Sequence, residues 1–149
     1  MNVPQAQHIA VIDRTTNEQI ATWKLGDVNA NFPMALDEPD HRLFVATRRP
    51  SALLVYDIET GKRVTTLPIA ADADDLFYDA QRKRLYVICG EGVVNVVQQN
   101  DADHYRIVAN IQTSPGARTG LFVAARNALY VAAPAHAATP AEIRVYAVS

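Results

Sequence analysis

Three observations predict an all-β protein. A hexapeptide shape of apolar residues is written three times, as "RLFVAT" at 42–47, "RLYVIC" at 84–89 and "ALYVAA" at 128–133. The apolar runs are short, β-branched or aromatic, and bounded by turn residues. No window sustains a helical period, because Pro and Gly interrupt every stretch long enough for one. Together they predict a propeller-like fold of about three four-stranded antiparallel blades, with 1–149 as one partial domain.

The repeat sets the elements. Residues 8–25, "HIAVIDRTTNEQIATWKL", align without a gap on 52–69, "ALLVYDIETGKRVTTLPI". Val11 meets Val55, Asp13 meets Asp57, Thr16 meets Thr60 and Thr22 meets Thr66. Asn17 falls on Gly61, two residue types suited to a left-handed turn position. "MALDEPDHRLFVAT" (34–47) aligns with "LFYDAQRKRLYVIC" (76–89), so that Asp37 meets Asp79 and Arg42 meets Arg84. "LFVAARNALYVAA" (121–133) repeats the segment with one residue fewer in the turn. A period of 42 to 45 residues marks a stacked-repeat architecture.

Each unit reads as four strands. Strand one is expected at 34–36, 75–78 and 120–123, and strand two at 42–47, 84–89 and 128–133. Strand three is expected at 9–13, 52–57, 92–98 and 142–147, and strand four at 19–25, 63–69 and 105–112. The turns "DRTTNEQ", "DIETGKR" and "DEPDHR" carry hairpin chemistry. The blade units fall near 8–33, 34–72, 73–116 and 117–149. Strands two and three hold consecutive apolar residues, such as Leu53, Leu54, Val55 and Tyr56. A sheet with one wet face would alternate, so both faces of these sheets must be covered. Small sheets sandwiched between copies of themselves meet that requirement. A two-sheet sandwich would not account for the matched units.

These segments resemble the YVTN-type β-propeller repeat. "RLYVIC", "RLFVAT" and "ALYVAA" resemble its Tyr-Val-Thr-Asn-like second strand, and "HIAVID" and "LLVYD" its Val-x-Val-Ile-Asp third strand. The resemblance spans roughly 8–149 and implies the fold; on function it is nearly silent, because propellers host unrelated activities. Family members are often exported and carry six to eight blades. Here the chain has no signal-like start and fewer repeats, and looks like the C-terminal half of such a propeller.

Composition narrows the function classes. The chain has 149 residues, 49% hydrophobic and 20% charged, with a net charge of −2. The charges are interspersed, leaving no basic footprint for nucleic acid. The richest apolar stretch, "ALYVAAPAHAA", is broken by Pro134 and His136, so no membrane span is expected. As written, the chain is expected in the cytoplasm. Cys89 is the single cysteine and ends an apolar run, where cysteine behaves as a buried hydrophobe.

Thirteen strands cannot close a ring. An unclosed stack leaves two apolar blade faces wet, so a homo-oligomer, a two-fold dimer joined through those faces, is expected. Ligands of such a stack are expected at the end formed by the loops before strand one and those joining strands two and three. Those loops contribute Asn29, Asn31, Arg48, Arg49, Asp72, Asp74, Asp75, Glu91, Arg118, Thr119 and His136. Among them, Asn31, Arg48, Arg49, Asp74, Asp75, Glu91 and Arg118 are the expected ligand-binding residues. Asp72, Asp74 and Asp75 offer carboxylates to a divalent cation such as calcium, although the plainer reading is a solvated loop paired with arginine. No cofactor is otherwise implied.

Other motifs fail on inspection. "DVNANFPMALDE" (27–38) has the acidic spacing of a calcium loop but Phe32 and Pro33 where a sharp turn needs Gly. "DADHY" (101–105) reads as a turn rather than a ligand set. The four histidines lack metal spacing, and "SPGARTG" (114–120) is neither a nucleophile elbow nor a phosphate loop. The sequence therefore favours a non-catalytic binding or scaffold module. The alternatives are a metal-dependent hydrolase or lactonase using channel carboxylates, and a gene fragment without retained activity.

Overall fold

A computed structural model describes residues 1–149 and contains fourteen strands in four antiparallel sheets. The first sheet is β1 (Asn2–Val3), β2 (His8–Ile12) and β3 (Gln19–Lys24). The second is β4 (Asn29–Asp37), β5 (Arg42–Arg49), β6 (Ser51–Asp57) and β7 (Arg63–Pro68). The third is β8 (Ala73–Asp79), β9 (Arg84–Cys89), β10 (Val93–Gln99) and β11 (Tyr105–Gln112). The fourth is β12 (Thr119–Val123), β13 (Ala128–Ala133) and β14 (Glu142–Ala147). Every sheet is a simple meander, each strand pairing with its neighbours in sequence.

The structure adds one strand to the thirteen expected. Residues Asn2–Val3 pair with His8 and Ile9, and turn the first two expected strands into a three-stranded sheet. The turn between them is a short 3-10 segment, Pro4–Ala6, closed by Gln7 at φ 53°. So short a strand, followed at once by proline, leaves no periodic signal. The first strand of the second sheet also starts earlier than expected, at Asn29 rather than 34. Pro33 is accommodated because the register slips between Asn31 and Met34, where no ladder N–H is needed.

The double-sided strands do what their composition demands. Phe44, Val45 and Ala46 on β5 and Leu53, Leu54 and Val55 on β6 are all fully buried. Their alternate side chains feed two separate cores. Val45, Leu54 and Tyr56 pack with Ile9, Leu25 and Val28 between the first and second sheets. Phe44, Leu53 and Val55 pack with Leu85, Val87, Cys89 and Val97 between the second and third. The third core joins Tyr86, Ile88, Val94 and Val96 to Leu129, Val131 and Ala133 of the fourth sheet. At about 25 cal/mol per Å² of apolar surface removed from water, these three interfaces hold the sheets in a row.

The Arg42–Arg84 match has a structural cause. Arg42, at the start of β5, donates through Nε to the carbonyl of Ala102 and through Nη2 to Asp103, both in the outer turn of the third sheet. Arg84, at the start of β9, donates to the carbonyl of Ser149 beyond the fourth sheet. Each arginine clamps its sheet to the next one along. Ala128 stands at the same place in the fourth sheet, which has no following sheet to reach.

Candidate functional site

The loops before each first strand and the turns joining strands two and three lie together at one end of the stack. The turn after β9 shows this directly: Gly90 N–H bonds to the Asp72 carbonyl at 2.8 Å, and Gly116 N–H to the Gly90 carbonyl at 2.7 Å. Gly90 lies against the Asp72 side chain, and a Cβ there would sit 2.2 Å from Asp72 Oδ2, so a larger residue would have to displace that carboxylate. This end carries most of the residues expected from sequence.

Asp72, Asp74, Arg48 and Arg118 form one network spanning three sheets. Arg48 Nη1 lies 3.0 Å from Asp72 Oδ1, and Nη2 lies 2.5 Å from Asp74 Oδ1. Arg48 Nε donates to the Ala73 carbonyl at 2.9 Å. Arg118 Nη1 meets Asp72 Oδ2 at 2.7 Å, and its Nε approaches Asp74 Oδ2 at 3.6 Å. A bulge aims Asp74 outward, for β8 slips register against β9 between Ala73 and Asp75. Asp72 helps to hold the Arg118 guanidinium protonated and raises its pKa. Two cations and two anions therefore neutralise each other.

The three aspartates are all engaged by protein partners in this structure. Asp75 does not share a centre with its two neighbours; its Oδ2 accepts the Gly120 N–H at 2.7 Å and ties β8 to β12. Burial pushes the Asp75 carboxyl up, against the pull of that hydrogen bond. Nowhere do three or more His, Cys, Asp or Glu side chains gather so as to hold a metal ion. The spacing D-x-D-D is a record of two arginine partners and one backbone partner; pairing with arginine was expected from the sequence, the Gly120 N–H was not.

One further residue differs from expectation, and two others keep their place in the expected loops. Asn31 is fully buried and not at the mouth; its Nδ2 donates to Asn2 Oδ1 at 2.8 Å and to the His8 carbonyl at 3.2 Å, binding the first sheet to the second. Glu91 caps the loop through the Ala71 N–H at 2.7 Å. His136 sits in a turn closed by reciprocal backbone bonds with Thr139. The turn reading of "DADHY" holds: Asp101 Oδ1 accepts the N–H groups of Asp103 and His104, both at 2.9 Å.

Beside the network lies a cleft of about 710 Å³ between the first and second sheets. Arg48 forms its wall and stacks over Phe32, guanidinium carbon to ring centroid 4.5 Å. Arg49 also lines it and makes no ion pair. Asn29 and the segment from Met1 to Gln5 also line it. Sequence reasoning missed Phe32 and Asn2: the first stood next to a proline in an expected loop, and the second in an unrecognised strand. Thr119 lines a separate cleft of about 620 Å³ with Arg118, Pro134 and Ile143.

No protein-family model and no curated protein sequence matches the chain. Solved structures do. Hydrazine synthase of Kuenenia stuttgartiensis is similar over 97% of this chain and 41% of that one, with a TM-score of 0.82 at 14% identity. A chain of the mitotic checkpoint complex is similar over 94% and 43%, with a TM-score of 0.76 at 14% identity. The Neurospora crassa Pan2 WD40 domain is similar over 94% and 42%, with a TM-score of 0.68 at 16% identity. The fold is of β-propeller, WD40-like type, and the chain spans less than half the length of each of these structures.

Proposed function

We propose that this chain is a non-catalytic binding module of YVTN-like repeats whose ligand sits in the cleft bounded by Phe32, Arg48 and Arg49. The observation that carries the reading is the unequal fate of the charges at this end. The carboxylates a hydrolytic or metal centre would use are engaged by Arg48, Arg118 and the Gly120 N–H. Arg49 is the one lining side-chain cation without a counter-ion, beside an exposed aromatic ring. A free guanidinium next to an aromatic surface suits a ligand bearing a carboxylate and a ring. N-acetyl-tyrosine is a direct probe. It should shift the amide resonances of Asn2, Asn29 and Phe32, its carboxamide should not, and Arg49→Ala should abolish the effect. Equal shifts from acid and amide, or none, would overturn the reading.

The module is a two-fold dimer joined through its end sheets. Support comes from the repeat: Tyr130, Ile143 and Val145 occupy the places of Phe44, Leu53 and Val55. The latter three are fully buried, whereas Ile143 and Val145 are 63% and 60% exposed, and Leu121 beside them is 56% exposed. At the other end Ile20 is 64% exposed. Two copies would contribute eight sheets, within the usual size of a closed ring. Light scattering should return the mass of two chains, and Ile143→Lys together with Val145→Lys should return one.

A further inference from the structure

A groove of about 390 Å³ lies between the second and third sheets and shares no residue with the cleft at Phe32. Both flanking sheets are four-stranded, so both of its walls are complete. Pro68 and Ile69 line it from the second sheet, Val93 and Ile107 from the third. Glu91 and Asn110 also line it, and Asn95 stands at its floor. Asn95 singles the groove out. Val45 and Val87 match in the repeat, and their partners on the next strand are Leu54 and Asn95. Leu54 pairs in turn with Thr66, and Asn95 with Asn110. Leu54 is fully buried, and Asn95 is only 3% exposed. A carboxamide at a core position is costly unless its groups are bonded, so it is retained where those bonds are used.

Two successive backbone N–H groups of the β7–β8 loop set the polarity of this groove. The Ala70 N–H donates to Asn95 Oδ1 at 2.8 Å, and the Cys89 thiol approaches the same oxygen at 3.6 Å. Asn95 Nδ2 then donates to Asn110 Oδ1 at 2.7 Å. Asn110 Nδ2 is left as a donor end with two N–H groups to give. The Ala71 N–H donates to Glu91 Oε2 at 2.7 Å, which leaves Oε1 to accept. The groove thus offers a fixed donor and a fixed acceptor over an aliphatic surface. Glu91 opposes an anion, and the Asn110 N–H groups oppose a bare cation. A neutral molecule whose groups both donate and accept satisfies both ends.

We infer that this groove binds a neutral polyol, a single sugar ring. Its hydroxyls donate to Glu91 Oε1 and accept from Asn110 Nδ2, and its C–H groups lie on Ile69, Val93 and Ile107. Hydroxyls are the groups that both donate and accept without charge. The volume is near the lower end of ligand pockets, about 300–1,000 Å³, which suits one ring rather than a chain of them. The site is separate from the cleft at Phe32 and from the end faces of the proposed dimer, so it stands independently of both.

The test titrates methyl α-glucoside, methyl α-galactoside and methyl α-mannoside into the isotopically labelled full chain. At least one should shift the Ala70 and Ala71 amides and the Asn110 side-chain resonances to saturation. Tetrahydropyran, the ring without hydroxyls, should not. Asn110→Asp puts an acceptor in place of the two N–H groups and keeps the bond from Asn95. Glu91→Gln puts a donor in place of Oε1 and keeps the bond from Ala71. Both residues are exposed, so circular dichroism should stay that of the parent. Each change should weaken binding at least about tenfold. Asn95→Leu, which copies Leu54, should abolish binding in a folded protein by releasing Asn110. Four results would overturn the inference: no saturable shift with any of the three sugars, equal shifts from tetrahydropyran, shifts confined to Asn2, Asn29 and Phe32, or unchanged affinity in both Asn110→Asp and Glu91→Gln. The third would place the sugar in the other cleft.

Discussion

Gln99 Nε2 donates to Asp37 Oδ2 at 2.9 Å, joining the end of β10 to the end of β4 across the boundary between the second and third sheets. The Tyr78 hydroxyl donates to the same carboxylate oxygen at 2.9 Å. Both Asp37 and Gln99 are buried. The apolar cores are non-directional; this polar pin fixes how far one sheet sits along the next. Asp37→Ala leaves the Gln99 amide and the Tyr78 hydroxyl competing for fewer partners inside the protein. A loss of about 1–3 kcal/mol is expected, read as a lower midpoint of urea unfolding. No change in midpoint would show that water replaces the carboxylate without cost.

Gly61 is fixed by both its backbone and its neighbour. It sits at φ +67°, and a Cβ there would lie 2.4 Å from Trp23 Nε1. Asn17 holds the matching turn of the first sheet at φ 58° and is exposed. Gly61→Ala should therefore destabilise by about 1–3 kcal/mol and change Trp23 fluorescence. Asn17→Gly should be neutral or slightly stabilising. Equal effects at the two sites would remove Trp23 from the explanation.

Cys89 packs in the core between the second and third sheets, and burial pushes its thiol up to about 12. Nucleophilic thiolate is then scarce at neutral pH. The native protein should resist alkylation by iodoacetamide at pH 8 and react fully in guanidinium. Modification at the rate of free cysteine under native conditions would contradict the buried placement.

Two aspartates should carry pH dependence of opposite sign. Asp57 accepts the N–H groups of Thr60 and Glu59, which hold its carboxyl below the ordinary carboxylate value. Its contribution is present above the unfolded pKa of about 3.9 and is lost as pH falls through the lower folded value. Asp75 is pushed up by burial. Its contribution is complete below the unfolded pKa and disappears as pH rises through the higher folded value. Carboxyl-carbon NMR titration should place Asp57 below and Asp75 above the free value. Asp75→Asn should flatten the stability profile just above the ordinary carboxylate range; an unchanged profile would mean that Asp75 titrates normally.

Truncating Leu53, which is fully buried between the second and third sheets, should cost about 2–5 kcal/mol. The same truncation at Ile143, its counterpart on the uncovered face, should cost far less in dilute monomer. Raising protein concentration should widen the effect of Ile143→Ala if the two-fold dimer forms, and leave that of Leu53→Ala the same.

Much of this architecture was legible in the chain. The repeat located thirteen strands, several to the residue, because consecutive β-branched and aromatic side chains are tolerated only where both faces of a sheet are covered. The Asp57–Gly61 and Asp13–Asn17 turns were legible for a local reason: an Asp side chain capping two following N–H groups, then a residue at positive φ. β1 was not, since two residues before a proline carry no period. Asn31 reads as a loop residue because it precedes the strand expected at 34–36, and only the packing of the first sheet on the second turns it inward to Asn2 and His8.

The sequence by itself determined the sheets, because strand pairing between neighbours is a matter of local pattern, turn chemistry and short loops. Tertiary structure alone decided the charges at the loop end. Arg48 and Asp74 are 26 residues apart in the chain and 2.5 Å apart in space, and no local rule says which arginine a carboxylate will meet. That choice follows from stacking one sheet on the next, and it is what separates a free guanidinium at Arg49 from a neutralised one at Arg48.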